Sequence, residues 1–222
     1  MDFSEPQKEL WIRWYMRYEN GASWKDNYVF FNKLFYMRTP GTAETATQMI
    51  PSLSDDFVLS AQSTGNDQNV PTFTNAGWMD IYPTGVADGR WVCYEIYIKM
   101  DTQGVKICPD PENPNSCYHS EPFNGIGRLW VNGQMMGEYT NLNLSEMHSD
   151  ARQGWSWFDF TNNQADGQVN QALAYVDYDD IVIYNSTPPN IDLEGNTFIG
   201  PIGWVNGEDI TPPDSPTGLS VF

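Results

Sequence analysis

Polar and apolar residues alternate with a period of two along most of the recognisable elements of this chain, the signature of half-buried β-strands. In Leu10 to Tyr18, the residues Ile12, Trp14, Met16 and Tyr18 share one parity, and Trp11, Arg13, Tyr15 and Arg17 share the other. Gly89 to Met100 sets Val92, Tyr94, Ile96, Ile98 and Met100 against Trp91, Cys93, Glu95, Tyr97 and Lys99. In Gly125 to Gly133, Leu129 and Val131 oppose Arg128, Trp130 and Asn132. One parity of each run is fit for a core, and the other carries aromatic and charged groups. Turn pairs such as Asn20-Gly21 close the runs.

The same pattern predicts strands at Tyr28–Arg38, Asp56–Gln62, Trp78–Tyr82, Gln134–Leu142, Gly154–Phe160 and Ala174–Tyr184. Tyr28–Arg38 is apolar on both parities, so its register and the direction of Lys33 stay open. Trp155 and Trp157 share a parity and are expected in the core, with Ser156 facing solvent. The polar stretch from Thr39 to Thr74 predicts long loops of the kind that line a binding edge. No segment sustains an apolar stripe of 3.6-residue period. The one helical element expected is a short turn between Ser145 and Gln153.

Composition narrows the class of partner. With 18 Gly, 15 Pro and 14% aromatic residues, the 222 residues suit one large domain of short strands and tight turns. The 29 acidic residues outnumber 11 basic ones, and a net charge of -18 repels nucleic-acid phosphates and anionic lipid surfaces. No apolar run approaches the ~20 residues that span a bilayer, and no signal-type region opens the chain, so a secreted parent would carry its signal outside it. Cys108 and Cys117 bracket a turn-rich loop whose ends can meet, whereas Cys93 sits mid-strand. A Cys108–Cys117 disulfide is expected, with a reduced pair as the alternative, and it points to an extracellular, periplasmic or cell-surface location.

Three features carry a family resemblance: Gly-x-Trp-x-x-x-Glu at Gly89 to Glu95, the Trp-Val-Asn-Gly ending at Gly133, and Asp-Asp-Ile-Val-Ile ending at Ile183. Together with strand number and order, they resemble the concanavalin A-like jelly roll over about Leu10 to Tyr184. That superfamily includes legume-type lectins, laminarinase-type glycosidases, carbohydrate-binding modules and polysaccharide lyases. The resemblance implies an all-β fold, a two-sheet antiparallel β-sandwich of jelly-roll type, with carbohydrate on the outer face of its concave sheet. Residues 1–205 form the sandwich with a C-terminal extension, and 206–222 resemble the linker and opening strand of a fibronectin type III repeat. A native tail that wraps the domain is the alternative for that end.

Combined with the parities above, the resemblance assigns Arg13, Tyr15, Arg17, Glu95, Tyr97, Lys99, Arg128 and Trp130 to a ligand-binding groove. The alternative is that they are ordinary cross-strand pairs. Arg13, Arg17, Lys33, Arg38, Lys99 and Arg128 fall in predicted strands while most acids fall in loops. A locally basic groove would suit a carboxylated or sulfated polysaccharide, and pairing of these cations with Glu95 and neighbouring acids is the competing arrangement.

Whether the chain is an enzyme stays open at this point. Laminarinase-type hydrolysis needs two carboxylates on one strand, yet Glu95 is followed by Ile96, Tyr97 and Ile98. A β-eliminating lyase needs a base and a group that neutralises a uronate carboxylate, which Tyr97 or Tyr15 with Arg128 or Lys99 would supply. His119 and His148 read as loop residues. Asp177, Asp179 and Asp180 crowd one strand, where like charges need solvent, cations or a hard metal, and a structural Ca2+ is expected there. The leading expectation is a carbohydrate-binding module of a multidomain secreted protein. The alternatives are a polysaccharide lyase and a structural or adhesive surface module.

Overall fold

A computed structural model describes residues 1–21, 35–40, 46–51, 57–62, 72–73, 86–103, 105–113, 116, 118–120, 122–144, 151–160 and 176–204, with the backbone alone at 46–51, 57–62, 72–73, 105–106, 118–120 and 151. Two antiparallel sheets face each other. The first, six-stranded, runs in the order β1 (Asp2–Gln7), β12 (Trp155–Phe160), β3 (Phe35–Arg38), β4 (Ala46–Pro51), β5 (Phe57–Gln62) and β6 (Thr72–Phe73). The second, five-stranded, runs β11 (Gln134–Leu142), β10 (Gly125–Val131), β7 (Val92–Lys99), β2 (Glu9–Tyr18) and β13 (Val176–Tyr184). Two short ribbons complete the described strands, β8 (Val105–Ile107) with β9 (Tyr118–Ser120), and β14 (Asn190–Ile191) with β15 (Thr197–Phe198). The expected two-sheet antiparallel sandwich is therefore the fold.

Side-chain parity sets which face of the five-stranded sheet is inside. Ile12 sits directly opposite Ile96, and Trp14 directly opposite Tyr94, so the apolar parities of β2 and β7 align across the ladder. These residues meet Phe35, Met37, Trp155 and Phe158 of the six-stranded sheet in one buried cluster. Trp14 is its centre. It stacks on Tyr94 at 5.7 Å and meets the edges of Phe35 at 6.0 Å and Phe160 at 5.5 Å, geometries that aromatic quadrupoles favour.

Predicted and observed strands agree closely for β2, β7, β10, β11 and β13. The expected helical turn is a 3-10 turn at Ala151–Gln153. Of Tyr28–Arg38 only the end, β3, lies in the described residues, and Trp78–Tyr82 lies outside them. β1 escapes a pattern search because it is polar and contains Pro6, which an edge strand tolerates since part of its backbone needs no ladder partner. The expectation for Trp155 and Trp157 is corrected. Trp155 is fully buried, but Trp157 is half-exposed, because the register of β12 against β1 shifts between them.

Removing the central indole tests the packing. Trp14→Ala should lower the unfolding free energy by about 3–5 kcal/mol, measured by urea denaturation. A loss below about 1 kcal/mol would show that the core does not depend on this ring.

Candidate functional site

The polar parity of the five-stranded sheet does gather on one face, but that face is not open. The segment from Asn190 to Trp204 lies across it and closes it. Trp11, Tyr97 and Trp130 of the sheet form a second buried apolar cluster with Phe198, Ile199 and Trp204 of the segment. Trp11 and Tyr97, directly opposite on β2 and β7, hold their rings 4.5 Å apart beneath it.

Hydrogen bonds fix the segment residue by residue. The carboxylate of Glu95 accepts the Ile199 N–H at 2.6 Å on one oxygen and the Gly200 N–H at 2.8 Å on the other. Arg13, directly opposite Glu95, donates to the Gly200 carbonyl at 3.3 Å and to the Asp180 carbonyl at 3.3 Å. The Tyr15 hydroxyl accepts the Ile202 N–H at 2.8 Å, and the Trp11 indole donates to the Thr197 carbonyl at 3.1 Å. Trp130 donates its indole N–H to Asp192 at 2.8 Å, while the other oxygen of that carboxylate accepts the Glu194 and Asn196 N–H groups and shapes the β14–β15 hairpin. Trp204 packs over the Asn132-Gly133 turn. There φ of +81° and a ring 2.6 Å from any added Cβ both demand glycine.

Burial perturbs the groups beneath this cover. Desolvation pushes the Glu95 carboxyl up to about 7, against the opposing pull of its two N–H donors and of Arg13. The Tyr15 and Tyr97 phenols are raised well above their ordinary range, chiefly by burial, and Tyr97 further donates to Glu9 at 2.6 Å. Phenols so shifted are poor bases.

Placement of the expected groove residues follows from this cover. Arg13, Tyr15, Glu95, Tyr97 and Trp130 are buried under the segment, whereas Arg17, Lys99 and Arg128 remain half-buried at its margins. The expectation of an open trough is corrected: the segment, with its tryptophan and six backbone and side-chain contacts, replaces solvent there. As a consequence, the lyase arrangement built on Tyr97 and Tyr15 with Arg128 and Lys99 has no access for a polymer to either phenol. The locally basic groove does not form either. Of the cations expected there, Arg17 pairs with Asp177 and Arg128 with Glu138, Arg13 is buried opposite Glu95, Arg38 lies on the other sheet, and Lys33 lies outside the described residues.

The crowded aspartates are engaged with different neighbours. Asp177 pairs with Arg17 at 2.7 Å, and Asp179 accepts the N–H of Asp180, whose φ of +46° marks the bulge between Asp179 and Val182. Among the described residues no three acidic, His or Cys side chains converge as metal ligands. Cys93 keeps its thiol, buried on β7. Cys117, the expected partner of Cys108, and His148 lie outside the described residues, as does the side chain of His119.

The outer face of the six-stranded sheet presents a different set. Trp157 on β12 is directly opposite Arg38 on β3, and Asp159 is directly opposite Tyr36 one step along. Arg38 and Asp159 are exposed, Trp157 and Tyr36 half-exposed, and the Arg38 guanidinium lies over the Trp157 ring at 5.0 Å. Two neighbouring rungs of a sheet, about 7 Å apart along the strand and about 4.8 Å across, thus carry two rings, one cation and one carboxylate. Ser156 ties the strands further through its hydroxyl to the Arg38 carbonyl at 3.3 Å. The sequence hides this patch, because both parities of Tyr28–Arg38 are apolar and leave the direction of Arg38 open, and because Trp157 shares a parity with the buried Trp155.

No family model matches the chain, and no curated protein matches it. Among solved structures, the chain is similar to alginate lyase Aly36B, at 14% identity and a TM-score of 0.50 over 82% of this chain and 71% of that one. A variant of the same lyase in complex with an alginate tetrasaccharide aligns at 13% identity and a TM-score of 0.50. The binding domain of botulinum neurotoxin serotype D/C aligns at 12% identity and a TM-score of 0.44 over 81% of this chain. This chain spans about a third of the length of that toxin chain. At such identities the likeness is one of fold, a β-rich sandwich.

The sign of the Glu95 effect is testable. A carboxyl raised from 4.5 to about 7 on folding stabilises the fold most below pH 4.5, and that stabilisation, at most about 3 kcal/mol, is lost as pH rises through 7. Glu95→Gln cannot titrate. The melting temperature of the wild type relative to Glu95→Gln should therefore fall between pH 5 and pH 8, and a difference that is flat or rises would refute the assignment.

Proposed function

We propose that the chain is a carbohydrate-binding module, of the concanavalin A-like kind suggested by its sequence, that holds an uncharged polysaccharide on the outer face of its six-stranded sheet. The observation that carries this reading is the Tyr36, Arg38, Trp157 and Asp159 patch on a face that no described segment covers, while the opposite sheet is sealed by residues 190–204. Aromatic faces stack on the apolar faces of sugar rings, and the flanking guanidinium and carboxylate offer a donor and an acceptor to hydroxyls. The proposal places the module outside the cell in a larger secreted protein, consistent with its acidity and its paired cysteine spacing.

Neutral ligands are favoured over the anionic ones first expected. A protein of net charge -18 whose described guanidinium groups are largely tied to acids repels uronate and sulfate. Lyase chemistry ranks lower for the same reason and because both candidate phenols are buried. The resemblance of the fold to an alginate lyase supports the scaffold and leaves the reaction aside.

Affinity electrophoresis in gels containing neutral or anionic polysaccharides tests the reading. Wild type should be retarded by at least one neutral polymer, and Trp157→Ala should weaken that retention at least about fivefold without changing the melting temperature. Retardation by alginate alone, or rising absorbance at the unsaturated-uronate band, would overturn it.

A further inference from the structure

The Tyr36, Arg38, Trp157 and Asp159 patch is one end of two longer rungs. Directly opposite residues of an antiparallel ladder share a face of the sheet. β4 pairs with β3 so that Gln48 is opposite Tyr36 and Ala46 opposite Arg38. β5 in turn pairs with β4 so that Ser60 is opposite Gln48 and Gln62 opposite Ala46. Across β12, β3, β4 and β5, one rung therefore runs Asp159, Tyr36, Gln48, Ser60, and its neighbour runs Trp157, Arg38, Ala46, Gln62. The other parity belongs to the core: Phe35 and Met37, which alternate with Tyr36, are fully buried, and their ladder partners are Met49 and Thr47.

The proportions of the two rungs give a direction. Three strand spacings span about 14 Å across the sheet, whereas the rungs lie only about 7 Å apart along the strands. The next rung pairs Ile50 with Val58, so the polar composition ends there. The long dimension of the polar surface thus runs across the strands, and its step of about 4.8 Å per strand is close to the length of one pyranose unit. Residue type selects the ligand along that line. Aromatic rings and charges sit at the β12–β3 end, while the positions on β4 and β5 are Ala46, Gln48, Ser60 and Gln62. Primary amides and hydroxyls both donate and accept, as sugar hydroxyls do, and they offer no counter-charge to a uronate or sulfate.

We infer that the two rungs form one binding row, on which an uncharged polysaccharide lies across β12, β3, β4 and β5 with about one sugar unit per strand. The inference rests on the sheet-face reading above and adds to it a direction, a length and three residues. Tyr36 and Trp157 stack on the units at one end, and Gln48, Ser60 and Gln62 bond the hydroxyls of the units that follow. The row therefore discriminates ligands by chain length as well as by charge.

The test is calorimetric titration of the full chain with cello-, malto-, laminari- and manno-oligosaccharides of two to six units. In the series that binds, affinity should rise at least about tenfold from the disaccharide to the tetrasaccharide and stay level beyond it. Gln48→Ala and Ser60→Ala should each weaken tetrasaccharide binding about threefold or more at an unchanged melting temperature, and the double variant should remove the gain over the disaccharide. A wild-type affinity already level from the disaccharide onward would overturn the row whatever the variants do. Tetrasaccharide binding unaltered by both substitutions would overturn it too. If either result comes with gel retention that depends on Trp157, the sheet-face reading stands and the row alone fails; if no series binds and no gel retards the protein, both fail.

Discussion

A single buried carboxylate organises one whole side of the molecule. Glu95 sits mid-strand on β7 with both oxygens turned to the backbone N–H groups of Ile199 and Gly200, and with Arg13 on the neighbouring strand. Burying a carboxyl is costly unless its lone pairs are met, and here the returning chain meets them. The exchange is mutual: the Gly200 carbonyl is satisfied by Arg13, and the Ile202 N–H by Tyr15. A loop that would otherwise carry unpaired backbone groups over an apolar sheet can therefore lie flat on it. The rings of Trp11, Tyr97, Trp130, Phe198 and Trp204 then supply the apolar burial that keeps water out.

Because that face is closed, the two sheets have different roles. The middle of the five-stranded sheet, around Trp11, Tyr97 and Trp130, is buried on both sides, between the core on one and the covering segment on the other, while most residues of its edge strands β11 and β13 stay half-exposed or exposed. The six-stranded sheet keeps its outer face, at least where β12 and β3 pair, and there the side chains are arranged as solvent-facing cross-strand partners.

Parity was the most legible feature of the sequence, and it held wherever strands were regular. Leu10 to Tyr18 and Gly89 to Met100 sort into inner and outer sets as their alternation predicts, since a one-residue slip would turn Trp14 and Tyr94 out of the core. What alternation cannot report is what lies above the outer set. Trp11, Arg13, Glu95 and Trp130 look the same in sequence whether the next layer is solvent, glycan or chain. The clue lay further along, in a Gly- and Pro-punctuated stretch that nonetheless carries Phe198, Ile199 and Trp204, large apolar residues that a free extension would leave in water. Trp157 was misplaced for a related reason: a register shift in β12 separates it from Trp155, and such shifts leave no periodic trace.

Charge shows the same limit from another direction. Counting basic residues in strands suggested a basic groove, but a strand places its cation beside whatever faces it across the ladder. Arg128 faces Glu138, Arg13 faces Glu95, and Arg17 faces Asp177. Cross-strand pairing of opposite charges is what an acidic chain of this composition does with scarce cations, and each of these three arginines has an acid opposite it on one neighbouring strand. The guanidinium groups thereby become rigid frames for the carboxylates around them. The arginines that fall in strands thereby serve contacts within the sheet, which removes much of their attraction for anionic polymers.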